Sequence, residues 1–267
     1  MKNGKVKNTN IYQRNADSIS SGIKIVGQWN LPAALKEVSG IAYIDDQRFA
    51  CIQDEAGIIY IYNVVKKRIE RKIRFAKSGD FEGIAIKNNS AFVVRADGKL
   101  FEVEMSPWKV SVYKYRTTLT AEQNIEGLCY DRNNDRLLLA IKDHEPSKMH
   151  YKGIYEFDLV NKTLIKEPVF KIDLKNKIFN NPERGKNKPI RPSEIDIHPV
   201  TNEIFITDGP GARLLIMDSS GIIKKLYQLG KGFCQPEGIT FSPDGEVFIS
   251  NEGRKQAGNI CRVEIQE

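Results

Sequence analysis

The chain has 267 residues, of which 40% are hydrophobic, and carries 41 basic against 34 acidic residues for a net charge of +7. That is enough apolar material for one large buried core, and no run reaches the roughly 18 apolar residues of a membrane span. No apolar signal-peptide core follows the first lysines, and Cys51, Cys129, Cys234 and Cys261 form no CxxC pair, so free buried thiols are expected rather than a disulfide framework or a thiolate metal site.

Residues 1–22 are polar and unpatterned and are expected to form a flexible arm before a single domain over 23–267. The first alternating segment, IKIVGQWNL (23–31), reads as a strand with no immediate hairpin partner. Thereafter the chain repeats itself. EVSGIAY (37–43), DFEGIAI (80–86), NIEGLCY (124–130), RPSEIDI (191–197) and QPEGITF (235–241) fall in one column, spaced by 43, 44, 67 and 44 residues. Each is followed by a turn and a second apolar strand, such as RFACIQDE, AFVVRADG or EVFISNEG, then by a third and usually a fourth. Units of about 40 to 45 residues with four strands separated by DG, NN and SG turns are propeller blades. The predicted fold is all-β, a five-bladed propeller of four-stranded antiparallel blades. The last unit has only three strands before Glu267, so a strand over 23–31 is expected to close that blade, with Trp29 as its anchor. Trp108 is expected to be a packing residue.

The long third step contains an insertion whose residues 171–191 hold seven basic side chains against two acidic ones. Without a nucleic-acid module or an aromatic ladder it reads as a solvated loop, and a nucleic-acid partner is not expected. DHEPSKMHYK (143–152) and the 174–192 stretch are expected on the face where each first strand begins. There they offer a recognition surface for a protein or a small anionic ligand. A monomer is expected.

That face also gathers carboxylates. Glu82, Glu126, Glu194 and Glu237 stand at the starts of inner strands, with Asp54, Asp143, Asp208 and Glu252 one layer outward at the ends of second strands. Crowded like charges need a positive neighbour. Two answers stay open: a bound cation, for which calcium suits an all-oxygen donor set, or basic side chains at the same strand ends, such as Arg95 and Lys142. A third reading has the glutamates capping backbone amides between blades. In the fourth unit Ser193-Glu194 replaces Glu-Gly, so either its register is bulged or Glu194 points elsewhere.

PSEIDIHPVTNEIFITDG, MDSSG, QPEGITFSPDGEVFISNEG, EGLCYDRNNDRLLLAIKDHEP and KGIYEFDL together resemble the SdiA-regulated family, distant relatives of NHL-repeat proteins. The resemblance implies a calcium-binding five-bladed propeller of the bacterial cell envelope or periplasm with no established catalytic activity. Carried over by position, it implies an ion site at Glu82, Glu126 and Glu237, with Glu194 added from the PSE variant. Ser39 breaks the ring in the first unit, and the envelope signal is missing from this sequence.

The competing reading is a calcium-dependent hydrolase, lactonase-like or phytase-like, with Asp143 or Glu252 as base beside a metal-bound water. No GxSxG, HExxH, GxGxxG or P-loop supports it, and His144, His150 and His198 lie in or beside loops. The sequence favours a non-catalytic binding module.

Overall fold

Ile, Val, Phe and Tyr alternating with polar residues make ribbons that are apolar on both faces near the axis and on one face at the rim. In the computed structural model, which describes residues 22–106, 108–145, 150–181 and 186–266, these ribbons form five antiparallel blades, beside which Asn180–Asn181 pairs with Lys186–Asn187 as a small two-stranded sheet. Blade 1 runs Val38–Asp45, Arg48–Gln53, Ala56–Asn63 and Arg68–Ser78; blade 2 runs Phe81–Lys87, Ser90–Arg95, Lys99–Met105 and Val110–Arg116. Blade 3 has Ile125–Asp131, Arg136–Ile141 and Tyr151–Asp158, with its outer edge divided between Thr163–Leu164 and Phe170–Asp173. Blade 4 comprises Glu194–Ile197, Ile204–Asp208, Arg213–Met217 and Ile223–Gln228.

Blade 5 is built from both ends of the chain. Pro236–Phe241, Val247–Asn251 and Asn259–Ile265 are completed by Ile23–Asn30, which pairs antiparallel with Asn259–Ile265. Trp29 lies opposite Ile260 and 6.3 Å from the Phe248 ring, which places it in the apolar layer between blades 5 and 1. The expected closure and its anchor are both present. The arm expected over 1–22 lies outside the described residues except for Gly22.

The inner strands contact one another in a closed ring. Five apolar clusters fill the five spaces between adjacent blades, so the core is a set of wedges around the axis. Close approach at the axis explains the glycine column. A Cβ on Gly83 would stand 2.8 Å from the Glu126 carbonyl oxygen of the next blade, closer than real Cβ contacts come.

Two expectations are corrected. Trp108 does not pack: it sits in the turn between the third and fourth strands of blade 2 and is 95% exposed. Cys234 is exposed, whereas Cys51, Cys129 and Cys261 are buried; all four are free thiols. The insertion of blade 4 is also anchored, since Phe179 and Ile190 are buried in the wedge between blades 3 and 4.

Candidate functional site: the carboxylate mouth of the channel

In four blades the pairing of first and second strands slips by one residue at the same place: Val38/Gly40, Phe81/Gly83, Ile125/Gly127 and Pro236/Gly238. The residue left out of the ladder is Ser39, Glu82, Glu126 or Glu237. A bulge of this kind re-aims the extra side chain, and here it turns the column residue away from the sheet at the channel mouth. Blade 4 has no slip at this place. Glu194 pairs in register with Thr207 and occupies the position of the glycines, while Ser193 takes the place of the glutamates and accepts a hydrogen bond from Gly209 N at 2.9 Å.

Glu194 therefore points elsewhere. Its carboxyl reaches back to blade 3, where Oε1 accepts from Leu128 N at 2.6 Å as well as from Ile195 N at 3.0 Å; Oε2 is buried without a partner. Burial drives its pKa well above the ordinary carboxylate range, so the neutral acid is the favoured form. Two residues on, Asp196 accepts hydrogen bonds from Thr240 and from the Phe241 amide, and burial raises its pKa to about 7. The two carboxyls of EIDI thus stitch blade 4 to both neighbours, which is the amide-capping role rather than a ligand role.

Glu126 and Glu237 are nearly buried and Glu82 partly so. Lys142, from the end of the second strand of blade 3, donates from Nζ to Glu126 Oε2 at 2.7 Å. Burial opposes the charge on Lys142, but Glu126, Glu237 and Glu82 together outweigh it and raise its pKa. Glu82 has no such partner. Burial first, then Glu126 and a hydrogen bond with Asp80, push its pKa up to about 10. For Glu126 burial prevails over Lys142 and the pKa rises to about 7. Glu237 is accommodated by Gly209, where a Cβ would come within 2.7 Å of its Oε1. Three carboxyls thus share one ammonium.

The outer layer is divided. Asp143 accepts from Arg191 Nη2 at 2.6 Å and from Asn124 Nδ2 at 3.1 Å, and Asp208 accepts from Arg213 Nε at 2.8 Å and from Gly211 N at 2.9 Å. These two are held by basic groups. Asp54 and Glu252 form no ion pair among the described residues: burial raises both pKa values, with Glu37 adding to that of Asp54 and Glu237 outweighing Arg254 at Glu252, and Asp54 Oδ1 is buried without a partner. Glu252 accepts a hydrogen bond from the Gln235 amide. Arg95 is turned onto Asp97 and takes no part in the mouth.

A second polar ring had gone unread. Two residues before each bulge stand Glu37, Asp80, Asn124 and Gln235, with Arg191 in the corresponding place of blade 4. Asn124 bridges Glu126 Oε1 and Asp143, Asp80 bonds Glu82, Gln235 bonds Glu252, and Arg191 bonds Asp143. The repeat column itself carried the signal, because the same spacing recurs in every unit.

Among the described residues no three His, Cys, Asp or Glu side chains converge closely enough to hold a metal ion in this arrangement. The donor chemistry of Glu82, Glu126 and Glu237 nonetheless suits a hard cation. All three are carboxyl groups gathered at one mouth, and among the described residues Glu82 has no basic hydrogen-bond partner.

A family model described as SdiA-regulated matches residues 22–253. A search of curated proteins finds no sequence match. Among solved structures, glutaminyl cyclase of Myxococcus xanthus is similar with a TM-score of 0.64 at 14% identity, covering 91% of this chain and 96% of that one. A streptogramin B lyase gives 0.55 at 13% identity, covering 91% and 98% of the two chains. A Bacteroides thetaiotaomicron protein of unknown function gives 0.55 at 13%, covering 84% of this chain and 58% of that one. At these identities the likeness is one of fold.

Proposed function

The chain belongs to the SdiA-regulated family, and we propose that it is a non-catalytic binding module of the bacterial envelope whose channel mouth takes a calcium ion. Glu82, Glu126 and Glu237 are the residues that would hold the ion. The observation that carries this reading is the crowding at the mouth: three bulge-placed carboxyls face a single ammonium, and two of them hold protons up to pKa values of about 10 and about 7. A divalent cation would take the place of those protons, at the cost of drawing Glu126 away from Lys142. Bound calcium would supply charge neutralisation and a fixed surface between the blades.

Asp143 and Arg191 join the mouth to the two long excursions, so a ligand resting there would meet both the ion site and the recognition loops. The enzyme names of the similar structures extend to this chain only as fold. The test is thermal unfolding of the protein after EDTA treatment and again with excess calcium. A calcium-dependent rise in midpoint that disappears in Glu82→Gln/Glu237→Gln supports the site. An unchanged midpoint means that Lys142 alone balances the mouth and removes calcium from the reading. Fractionation of cells for the native protein checks the envelope assignment.

A further inference from the structure

The face opposite the carboxylate mouth has a property of its own. Val65, Trp108, Val160, Val200 and Ile222 are the five most exposed large hydrophobic side chains among the described residues. Val65, Trp108, Val160 and Ile222 occupy the turns between third and fourth strands of blades 1 to 4, and Val200 the turn between first and second strands of blade 4. By strand direction every one of these turns lies on the face away from Glu82, Glu126 and Glu237. A single exposed apolar residue needs no explanation. Five of them confined to one face of a disc do.

The charges on this face are unevenly distributed. Blades 1 and 2 present Lys66, Lys67, Arg68 and Lys109 beside the apolar tips, with Asp46 and the Arg48–Asp45 pair in the adjoining turn of blade 1, whereas blades 4 and 5 present Glu203 and Asp244 together with Asp218 and Glu246, which pair with Lys224 and Arg262. Lys66 is paired with Glu70 at 2.8 Å, but Lys67, Arg68 and Lys109 have no acidic partner among the described residues. The two basic turns are tied together. Arg71 of blade 1 donates from Nη2 to Ser106 O at 2.8 Å and from Nη1 to Met105 O at 3.3 Å, which holds the Trp108 turn against the strand that carries Arg68.

We propose that this face docks on an anionic lipid surface, with Trp108 and the Val65–Arg68 turn entering first. Isolated tips spread around a flat rim match a plane that accepts each side chain separately; a protein partner calls for a contiguous apolar patch. Tryptophan favours the headgroup boundary, where its ring is apolar and its N–H meets water. Lysine and arginine beside it add attraction to acidic headgroups. The charge asymmetry tilts the disc so that blades 1 and 2 approach the lipid, and the carboxylate mouth is left facing water.

The experiment is co-sedimentation of the full chain with vesicles of phosphatidylcholine alone and of phosphatidylcholine with roughly one-third phosphatidylglycerol, the anionic lipid expected to be preferred. Trp108→Ala is expected to weaken partitioning about tenfold, and Lys67→Glu with Lys109→Glu by about tenfold or more. All three side chains are exposed, so folding is not at risk. Lys231→Glu with Lys255→Glu, on the mouth face, is expected to leave partitioning unchanged. The chain has two tryptophans, and the difference in emission between the native protein and Trp108→Phe should move to shorter wavelength on anionic vesicles. No sedimentation with either vesicle overturns the proposal and returns these turns to a protein partner or to solvent. Equal losses from the two lysine pairs, or a Trp108 emission that does not move in the bound protein, overturn it as well.

Discussion

Lys142 Nζ stands 2.7 Å from Glu126 Oε2, and both side chains are almost wholly withdrawn from water. This pair is the electrostatic pivot of the mouth. Replacing one member strands the charge of the other in a place that hydrates it poorly. Lys142→Met is expected to lower stability by about 3 kcal/mol in urea unfolding. Combining it with Glu126→Gln should restore most of the loss, because a neutral amide replaces the stranded carboxylate. Equal losses in the single and double variants would show that the two groups are not coupled.

The Glu82 carboxyl makes stability depend on pH in a defined direction. Its pKa is about 10 in the folded protein against an ordinary 4.5, so between those values the folded state holds a proton that the unfolded chain gives up. Stability contributed by this group is greatest at low pH and declines as pH rises through that window. Glu126 acts in the same sense over a narrower one, up to about 7. The urea midpoint of the native protein should fall between about pH 6 and about pH 8.5, and Glu82→Gln should lessen the fall. A variant that tracks the native protein across this range would remove Glu82 from the account.

Calcium should respond to pH with the opposite sign. Binding requires the carboxylates to release their protons, so the stabilisation it brings should be larger at about pH 8.5 than at about pH 6. Paired thermal scans with and without the ion measure this directly. A calcium effect independent of pH would place the ion away from Glu82 and Glu126.

Glu194 separates a scaffold role from a ligand role. Glutamine can still accept the Leu128 and Ile195 amide hydrogens, and it brings no charge to be buried. Glu194→Gln is therefore expected to stay within about 1 kcal/mol of the native stability, whereas Glu194→Ala, which orphans the Leu128 amide and opens a void, should cost about 2 to 4 kcal/mol. Calcium-induced stabilisation should survive in the glutamine variant. Its loss would return Glu194 to the ion site.

Much of this was readable in advance because a propeller is written as repetition. The blade count, the closing strand and the placement of Glu82, Glu126 and Glu237 at one mouth follow from a column of like residues and the reversal of direction at each turn. Pairwise chemistry was less accessible. That Lys142 serves Glu126 while Arg95 turns onto Asp97 depends on rotamers and on the bulge, and both basic residues occupy similar places in the chain. The different direction of Glu194 follows from the missing register slip in blade 4, of which the Ser-Glu pair was the sole written sign. Trp108 misled because aromatic residues ordinarily pack, and its neighbours offered no warning that the turn projects into solvent.

Ring closure by Ile23–Asn30 bears on how the protein comes into being. The strand leaves the ribosome before any of blades 1 to 4, yet its hydrogen-bonding partners in Asn259–Ile265 are made after all four of them. Blades 1 to 4 can assemble in order as they appear, while the first strand must wait with its edge unpaired. Completion of the circle thus comes after blades 1 to 4 have been made, and the interval before it is when the nascent protein is most open to capture by chaperones or to mispairing with a second copy.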